Sequence, residues 1–370
     1  MQRVFLWLSA LLALYVSDFA CATTGPLAPG EERPAPHIAL LLPLKSAAFG
    51  NAAEAVRQGF QAAADLEMQL PGRLPVRVYS CFDESNDIAV LFHQAIANGA
   101  HAVVGPLTRS GAGILAAAQD IPVPTLALNV VDGAPVGQLY FFGMAVEAEA
   151  RQAAQLARRQ GLYQAIVVTT RAQLDRRLQF AFEEEWDRSG GEVLREIEFD
   201  SDPAVFTEIT EMPDTVVFFA TDAEKARLIR PYLPNKLPIY ATSQIFVGNN
   251  DTLTNYDLNG IRFVDMPWLL QADHPAVMVY PRPVPPLSAD YERLYALGID
   301  AYRLIQLLLA GRIDAALPLD GVSGHIELEG HVFQRSAIPA IMTEGQARPL
   351  HARGAPSVPV FPDRALVIHE

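Results

Sequence analysis

From Ile38 onward, short aliphatic runs alternate with segments whose apolar residues recur every three to four positions. Residues 38–42 are aliphatic throughout and stop at Pro43, the pattern of a strand covered on both faces. Residues 51–68 come next, with Ala52, Val56, Phe60 and Ala63 on one helical stripe. A second strand is predicted over 76–80. After it Ile88, Leu91, Phe92, Ala95 and Ile96 recur at i, i+3, i+4, i+7 and i+8, which predicts an amphipathic helix. Strands over 102–105, 125–128 and 140–142, with a helix over 113–119, extend the alternation. An alanine-rich helix over 147–160 opens a second series. It runs through strand 165–169, helix 174–186, strands 193–199 and 215–220, helix 222–232, and strands 239–242 and 261–265.

Strands alternating with helices imply a parallel sheet covered on both faces, and two such series in one chain imply two lobes. The alternation ends after residue 265. Met266-Pro267 and the proline-rich stretch 275–286 read as connections. Tyr291, Leu294, Tyr295, Gly298, Tyr302 and Ile305 mark a long helix, and a hairpin over 324–333 is predicted to turn at Glu329-Gly330. Residues 348–370 hold several prolines and no periodicity, and are expected to form a flexible tail.

With 370 residues, half of them hydrophobic and 19% charged, the chain can build sizeable cores and is not an extended disordered protein. A net charge of −14 without clustered Lys and Arg excludes a general surface for nucleic acid or anionic lipid. Arg171, Arg176 and Arg177 are neighbours, but Asp175, Glu183, Glu184 and Glu185 dilute them. At the N-terminus, Arg3 precedes an apolar run over 4–16 that is too short to cross ~30 Å of hydrocarbon, so no transmembrane helix is expected. That run has the length of a signal-peptide core. Ala20 and Ala22 supply the small residues for cleavage after Ala22, which makes 1–22 a signal peptide and the mature protein periplasmic. The other reading lipidates Cys21 at the outer membrane, although Asp18 stands where a lipobox has an aliphatic residue. Residues 23–36, with Pro26, Pro29, Pro34 and Pro36, read as a tether. After cleavage Cys81 is the only cysteine, so no internal disulfide can form, and it is expected as a small buried residue.

Catalytic and cofactor motifs are sparse. Gly111-Ala-Gly-Ile-Leu-Ala116 matches a dinucleotide fingerprint in spelling, but five residues separate it from Gly105 at the strand end. The glycines are better explained by a turn and a closely packed helix. His325 and His331 flank the predicted hairpin turn, yet two histidines alone make a poor metal site, and no metal or cofactor is expected. No nucleophile elbow or triad context is present. Loops after strands are more suggestive, because ligands of open α/β sheets bind beyond the carboxyl ends of the strands. The cleft candidates are Lys45, Ser46, Gly105, Pro106, Leu107, Thr108 and Asn129 in the first series, and Arg171, Asp222 and Ser243 in the second. Each hydroxyl or carboxylate among them could equally cap the following helix.

Several ordered segments carry a family resemblance. Ile38-Ala-Leu-Leu-Leu-Pro-Leu44, Val103-Val-Gly-Pro-Leu107, Leu126-Ala-Leu-Asn129 and Tyr240-Ala-Thr-Ser243 are followed by Asp265-Met-Pro-Trp268, Leu294-Tyr-Ala-Leu-Gly-Ile-Asp-Ala-Tyr302 and Gly321-Val-Ser-Gly324. Together the chain resembles the periplasmic-binding-protein-like domain of the LppC family, the penicillin-binding protein activators (LpoA), over about residues 37–345. The resemblance implies an α/β fold of the type I periplasmic-binding-protein class, two doubly wound lobes with three crossovers near Gly143, Pro267 and Pro318. Lobe 1 would then hold 37–142 and 268–317, and lobe 2 would hold 143–267 and 318–347. It also implies a non-enzymatic envelope protein that binds a class A penicillin-binding protein and stimulates peptidoglycan synthesis. Two alternatives remain open at this point. One is a periplasmic solute-binding receptor that takes an amino-acid-like or amide ligand in the interlobe cleft; the other is a hydrolase of cell-wall material.

Overall fold

A computed structural model describes residues 34–131, 136–249 and 252–350. The expected signal peptide, nearly all of the expected tether and most of the expected tail therefore lie outside the described residues. The first half forms β1 (His37–Leu42), α1 (Gly50–Glu67), β2 (Val76–Ser80), α2 (Glu84–Ala97), β3 (Ala100–Val104), α3 (Arg109–Ala116), β4 (Thr125–Ala127) and β5 (Leu139–Phe142). These five strands pair in parallel in the order β2-β1-β3-β4-β5. The aliphatic run of β1 is covered on both faces, as its pattern requires. Ile38, Leu40 and Leu42 pack with Phe60 and Tyr302, while Ala39 and Leu41 pack with Ile88 and Phe92.

The second half repeats the plan with α4 (Val146–Arg159), β6 (Gln164–Thr169), α5 (Gln173–Arg188), β7 (Glu192–Glu198), β8 (Thr215–Phe219), α6 (Ala223–Ile229), β9 (Ile239–Ala241), α7 (Thr252–Asn255) and β10 (Ile261–Asp265). Its parallel order is β7-β6-β8-β9-β10. Ile166 and Val168 face one core, and Ala165 and Val167 the other. Both halves thus carry the doubly wound order expected of the fold class.

After β10 the chain returns to the first half through α8 (Pro267–Leu270), α9 (Pro275–Met278), α10 (Ala289–Leu309) and α11 (Ile313–Ala316). Helix α10 lies along α1 with backbones nearly touching. A Cβ on Gly59 would stand 1.9 Å from the Tyr295 carbonyl oxygen, and one on Gly298 2.2 Å from that of Val56. Both positions therefore demand glycine.

The C-terminal strands correct the expected division. β11 (Leu319–Asp320), β12 (His325–Glu329) and β13 (Val332–Ser336) belong to the first sheet, where β13 runs parallel to β5 and pairs Val332 with Phe141. The third crossing therefore falls at Ala337 and not near Pro318. An unforeseen second hairpin, β14 (Ile338–Thr343) and β15 (Gln346–Pro349), completes the second sheet antiparallel to β10. The tail expected from residue 348 thus begins inside an edge strand. Its turn uses Glu344 and Gly345, with φ of 54° and 71°. The predicted turn at Glu329-Gly330 is where the β12–β13 hairpin bends, but His325 and His331 part company there. His325 approaches Glu327, while His331 stacks on Tyr140 and contacts the Leu139 carbonyl.

Candidate functional site

The carboxyl ends of β3, β4 and β5 open onto a cleft of about 730 Å³ whose far wall comes from the second half. The β3 loop is shaped by Gly105, at φ +105°, where a Cβ would meet the Leu41 carbonyl oxygen at 2.0 Å. Leu107 and Thr108 come next in the loop and line the cleft with Asn129. Thr108 also caps α3, its hydroxyl accepting from the Gly111 N–H at 3.2 Å. Asn129 donates to the Leu107 carbonyl at 3.1 Å, tying the two loops together. Gly111 and Gly113 lie within α3; a Cβ on Gly111 would press on Pro106 and Glu84, so that glycine serves close packing, while one on Gly113 would meet nothing within 4 Å.

The backbone donors of this loop are already in use. Glu84, at the start of α2, accepts from the Leu107 N–H at 2.9 Å and the Thr108 N–H at 2.6 Å. It is 1% exposed, and burial pushes its carboxyl above the usual range while the loop N–H groups pull the other way. An internal carboxylate thus takes the N–H pair that a bound anion would otherwise use.

The other residues expected at the cleft lie elsewhere. Pro106 is buried, and its carbonyl accepts from the Leu128 N–H. Lys45 is exposed, with its ammonium 5.5 Å from the Phe82 ring centre, and Ser46 accepts from the Phe49 N–H. Arg171 is exposed and pairs with Glu198 and Asp200. Asp222 caps α6 through the Lys225 N–H. Ser243 is buried; its N–H donates to Glu149 and its carbonyl accepts from Arg293. The second half reaches the cleft instead through helices. Glu147 and Arg151 on α4 and Arg177 on α5 face Phe49, Leu294 and Leu297 across it. Arg177 bonds Glu147, at 2.7 Å from Nε, and Arg151 pairs with Glu184 at 3.1 Å. Attention to strand ends misses these residues; the available signal was the placement of α4 directly after the first crossing.

Buried charges tie the halves together behind the cleft. Arg293 on α10 forks onto Asp265 at the end of β10, at 3.1 and 2.6 Å, and also donates to the Phe246 carbonyl at 2.8 Å. Glu149 on α4 accepts from Arg335 on β13 at 2.8 Å. Gln152 exchanges two bonds with Ala337 at the third crossing. Side-chain exposure is 6% and 0% in the first ion pair and 4% and 5% in the second, so removing either partner strands a charge away from water. Among the described residues, no group of three His, Cys, Asp or Glu could hold a metal ion, and no helix is long and apolar enough to cross a membrane.

The family model described as "LppC putative lipoprotein" matches residues 30–212 and 208–336. The penicillin-binding protein activator LpoA of Haemophilus ducreyi is 29% identical over 307 residues, covering 78% of this chain and 50% of its own length. LpoA of Haemophilus influenzae is 27% identical over 264 residues, covering 68% of this chain and 45% of its own. The chain therefore spans about half the length of the curated relatives it matches. A solved structure from Chromobacterium violaceum, described as a "putative branched-chain amino acid ABC transporter", is 38% identical with a TM-score of 0.72. It covers 83% of this chain and 100% of its own. The C-domain of Haemophilus influenzae LpoA, described as a regulator of PBP1A, has 24% identity and a TM-score of 0.69, covering 85% of this chain and all of its own. That likeness carries the fold, which is the periplasmic-binding-protein-like α/β architecture. With its matches reaching from residue 30 to residue 336, this chain belongs to the LppC family.

Proposed function

We propose that the chain is a non-enzymatic regulator in the cell envelope that binds and activates a class A penicillin-binding protein in peptidoglycan synthesis. The observation that carries this reading is the family membership, because the LpoA relatives aligned with this module are named as activators. The cleft chemistry supports it. No Cys or His is among the residues lining the cleft, and the one carboxylate there, Glu147, is bonded to Arg177. We place the mature protein in the periplasm after cleavage at Ala22, with attachment through Cys21 as the other outcome of mass analysis.

The solute-binding reading is favoured by one observation, the 38% identity to the Chromobacterium violaceum structure. A single pair of measurements separates the two. The full chain should raise glycan polymerisation by a purified class A synthase, while saturating L-leucine leaves its melting midpoint in place. No binding to the synthase, together with clear stabilisation by leucine, would sink the regulator in favour of the receptor.

A further inference from the structure

Among the described residues that line the cleft, every charged side chain is already engaged within the protein. Arg177 is paired with Glu147 and Arg151 with Glu184, and Arg109 has a partner as well. The neutral polar groups are engaged too. Thr108 accepts from the Gly111 N–H, and Ser110 accepts from the Ser85 hydroxyl at 2.9 Å. Asn129 donates to the Leu107 carbonyl, and its own side-chain oxygen accepts from the Val130 N–H at 3.0 Å. Glu84 holds the N–H pair of the β3 loop. What the cleft offers a visitor is of another kind. Phe49, Leu107, Val130, Met144, Leu294 and Leu297 give it apolar walls. Helix α4 opens at Ala145 without a capping side chain, so the N–H groups of its first turn stand as donors at the cleft. Glu147 and Glu149 in that turn offset the positive end of the helix dipole, and these donors therefore suit a neutral carbonyl better than a carboxylate.

We propose that the cleft binds a small uncharged molecule, an apolar group joined to an amide or similar neutral carbonyl, and that it rejects free amino acids. A volume of about 730 Å³ is that of a ligand pocket, and an apolar lining broken by a few polar groups is how such pockets are built. A free amino acid would bring an ammonium and a carboxylate out of water into a site whose charges are already paired. A charge buried without a counter-charge costs far more than a buried amide, which needs only a hydrogen bond. The uncharged molecule finds that bond at the first turn of α4 and lays its apolar part against Phe49, Leu294 and Leu297.

This inference does not depend on the activator reading, and its test needs no synthase. The probes are four leucine derivatives that share one side chain and differ in charge, titrated calorimetrically into the full chain. N-acetyl-L-leucinamide is uncharged, N-acetyl-L-leucine is an anion, L-leucinamide is a cation, and L-leucine carries both charges. The uncharged compound should bind about tenfold more tightly than any of the other three, or better. Phe49→Ser should weaken it several-fold, and because Phe49 is 48% exposed the substitution leaves the fold in place. Glu147→Gln takes the partner from Arg177 and should raise the affinity for N-acetyl-L-leucine several-fold, without helping L-leucinamide. L-Leucine binding as tightly as the uncharged compound, no binding of the uncharged compound at millimolar concentration, unchanged affinity in Phe49→Ser, or no gain for the anion in Glu147→Gln would overturn the proposal.

Discussion

In the first half, the loops after β3 and β4 present Leu107, Thr108 and Asn129 to the cleft. In the second half, the loops after β6, β8 and β9 engage their candidate groups with other parts of the protein. Arg171 turns outward to Glu198 and Asp200, Asp222 caps α6, and Ser243 is sealed between Glu149 and Arg293. The two sheets share one strand order, so topology alone does not decide this. At Ser243 the return of the chain does. Helix α10 and strand β13 come back against the strand ends of the second half with Arg293 and Arg335, and two buried cations need the acids and carbonyls gathered there. Shared topology fixes where a site can form, and the later crossings determine which half uses its strand ends for the junction.

The sharpest way to break this comparison is to remove a junction charge. Arg335→Ala leaves the buried Glu149 without its ion-pair partner, and should cost about 3–5 kcal/mol in urea unfolding. A loss within the range of an ordinary surface substitution would show that the junction is not what seals the second half. Next comes the α1–α10 contact that holds the returning helix. Gly298→Ala drives a methyl into the Val56 carbonyl and should cost about 1–3 kcal/mol, read as a lower denaturation midpoint with unchanged helical content.

Sequence patterning made the ten parallel strands and the long helices legible, because both faces of each sheet are covered and β1, β6 and β8 read as unbroken apolar runs. It failed where the information is non-local. The alternation of β12 and β13 announces a hairpin, but nothing in those residues says whether β5 or β10 will receive it. The sequence does not announce β14, because Pro339 argues against a strand and Glu344-Gly345 is a weaker turn signal than Asn-Gly or Asp-Gly. At the site, Leu107, Thr108 and Asn129 followed from the strand-end rule. Glu147, Arg151 and Arg177 did not, since solvated arginines on amphipathic helices look alike until the fold sets them across a cleft.

Glu84 tests the first half in the same terms. A carboxyl raised on folding holds its proton at pH values where the unfolded chain has released it. Its contribution to stability is thus fully present below the ordinary value of 4.5 and is lost as pH rises through the folded one. Asp175, Glu183 and Asp265 are raised in the same direction, so the parent chain alone does not isolate the effect. The difference between parent and Glu84→Gln does. It should move in favour of the parent on acidification from pH 8 toward 4.5. A difference that stays flat, or reverses, would mean that Glu84 is held ionised and that the loop N–H groups outweigh its burial.

The smallest effect is expected at Arg171, and that is what makes it informative. By strand-end position it is the counterpart of a cleft residue, yet its charge is fully in water and its partners are exposed acids. Arg171→Ala should leave the melting midpoint unchanged, while Arg177→Ala, further along on α5, lowers it by taking the partner from the half-buried Glu147. Both residues belong to the same short basic stretch of sequence, so net charge falls equally in the two variants and cannot account for a difference. If Arg171→Ala lowered the midpoint as much as Arg177→Ala, its exposed pairs would be holding the second half together, and that strand end would have to be counted with the junction.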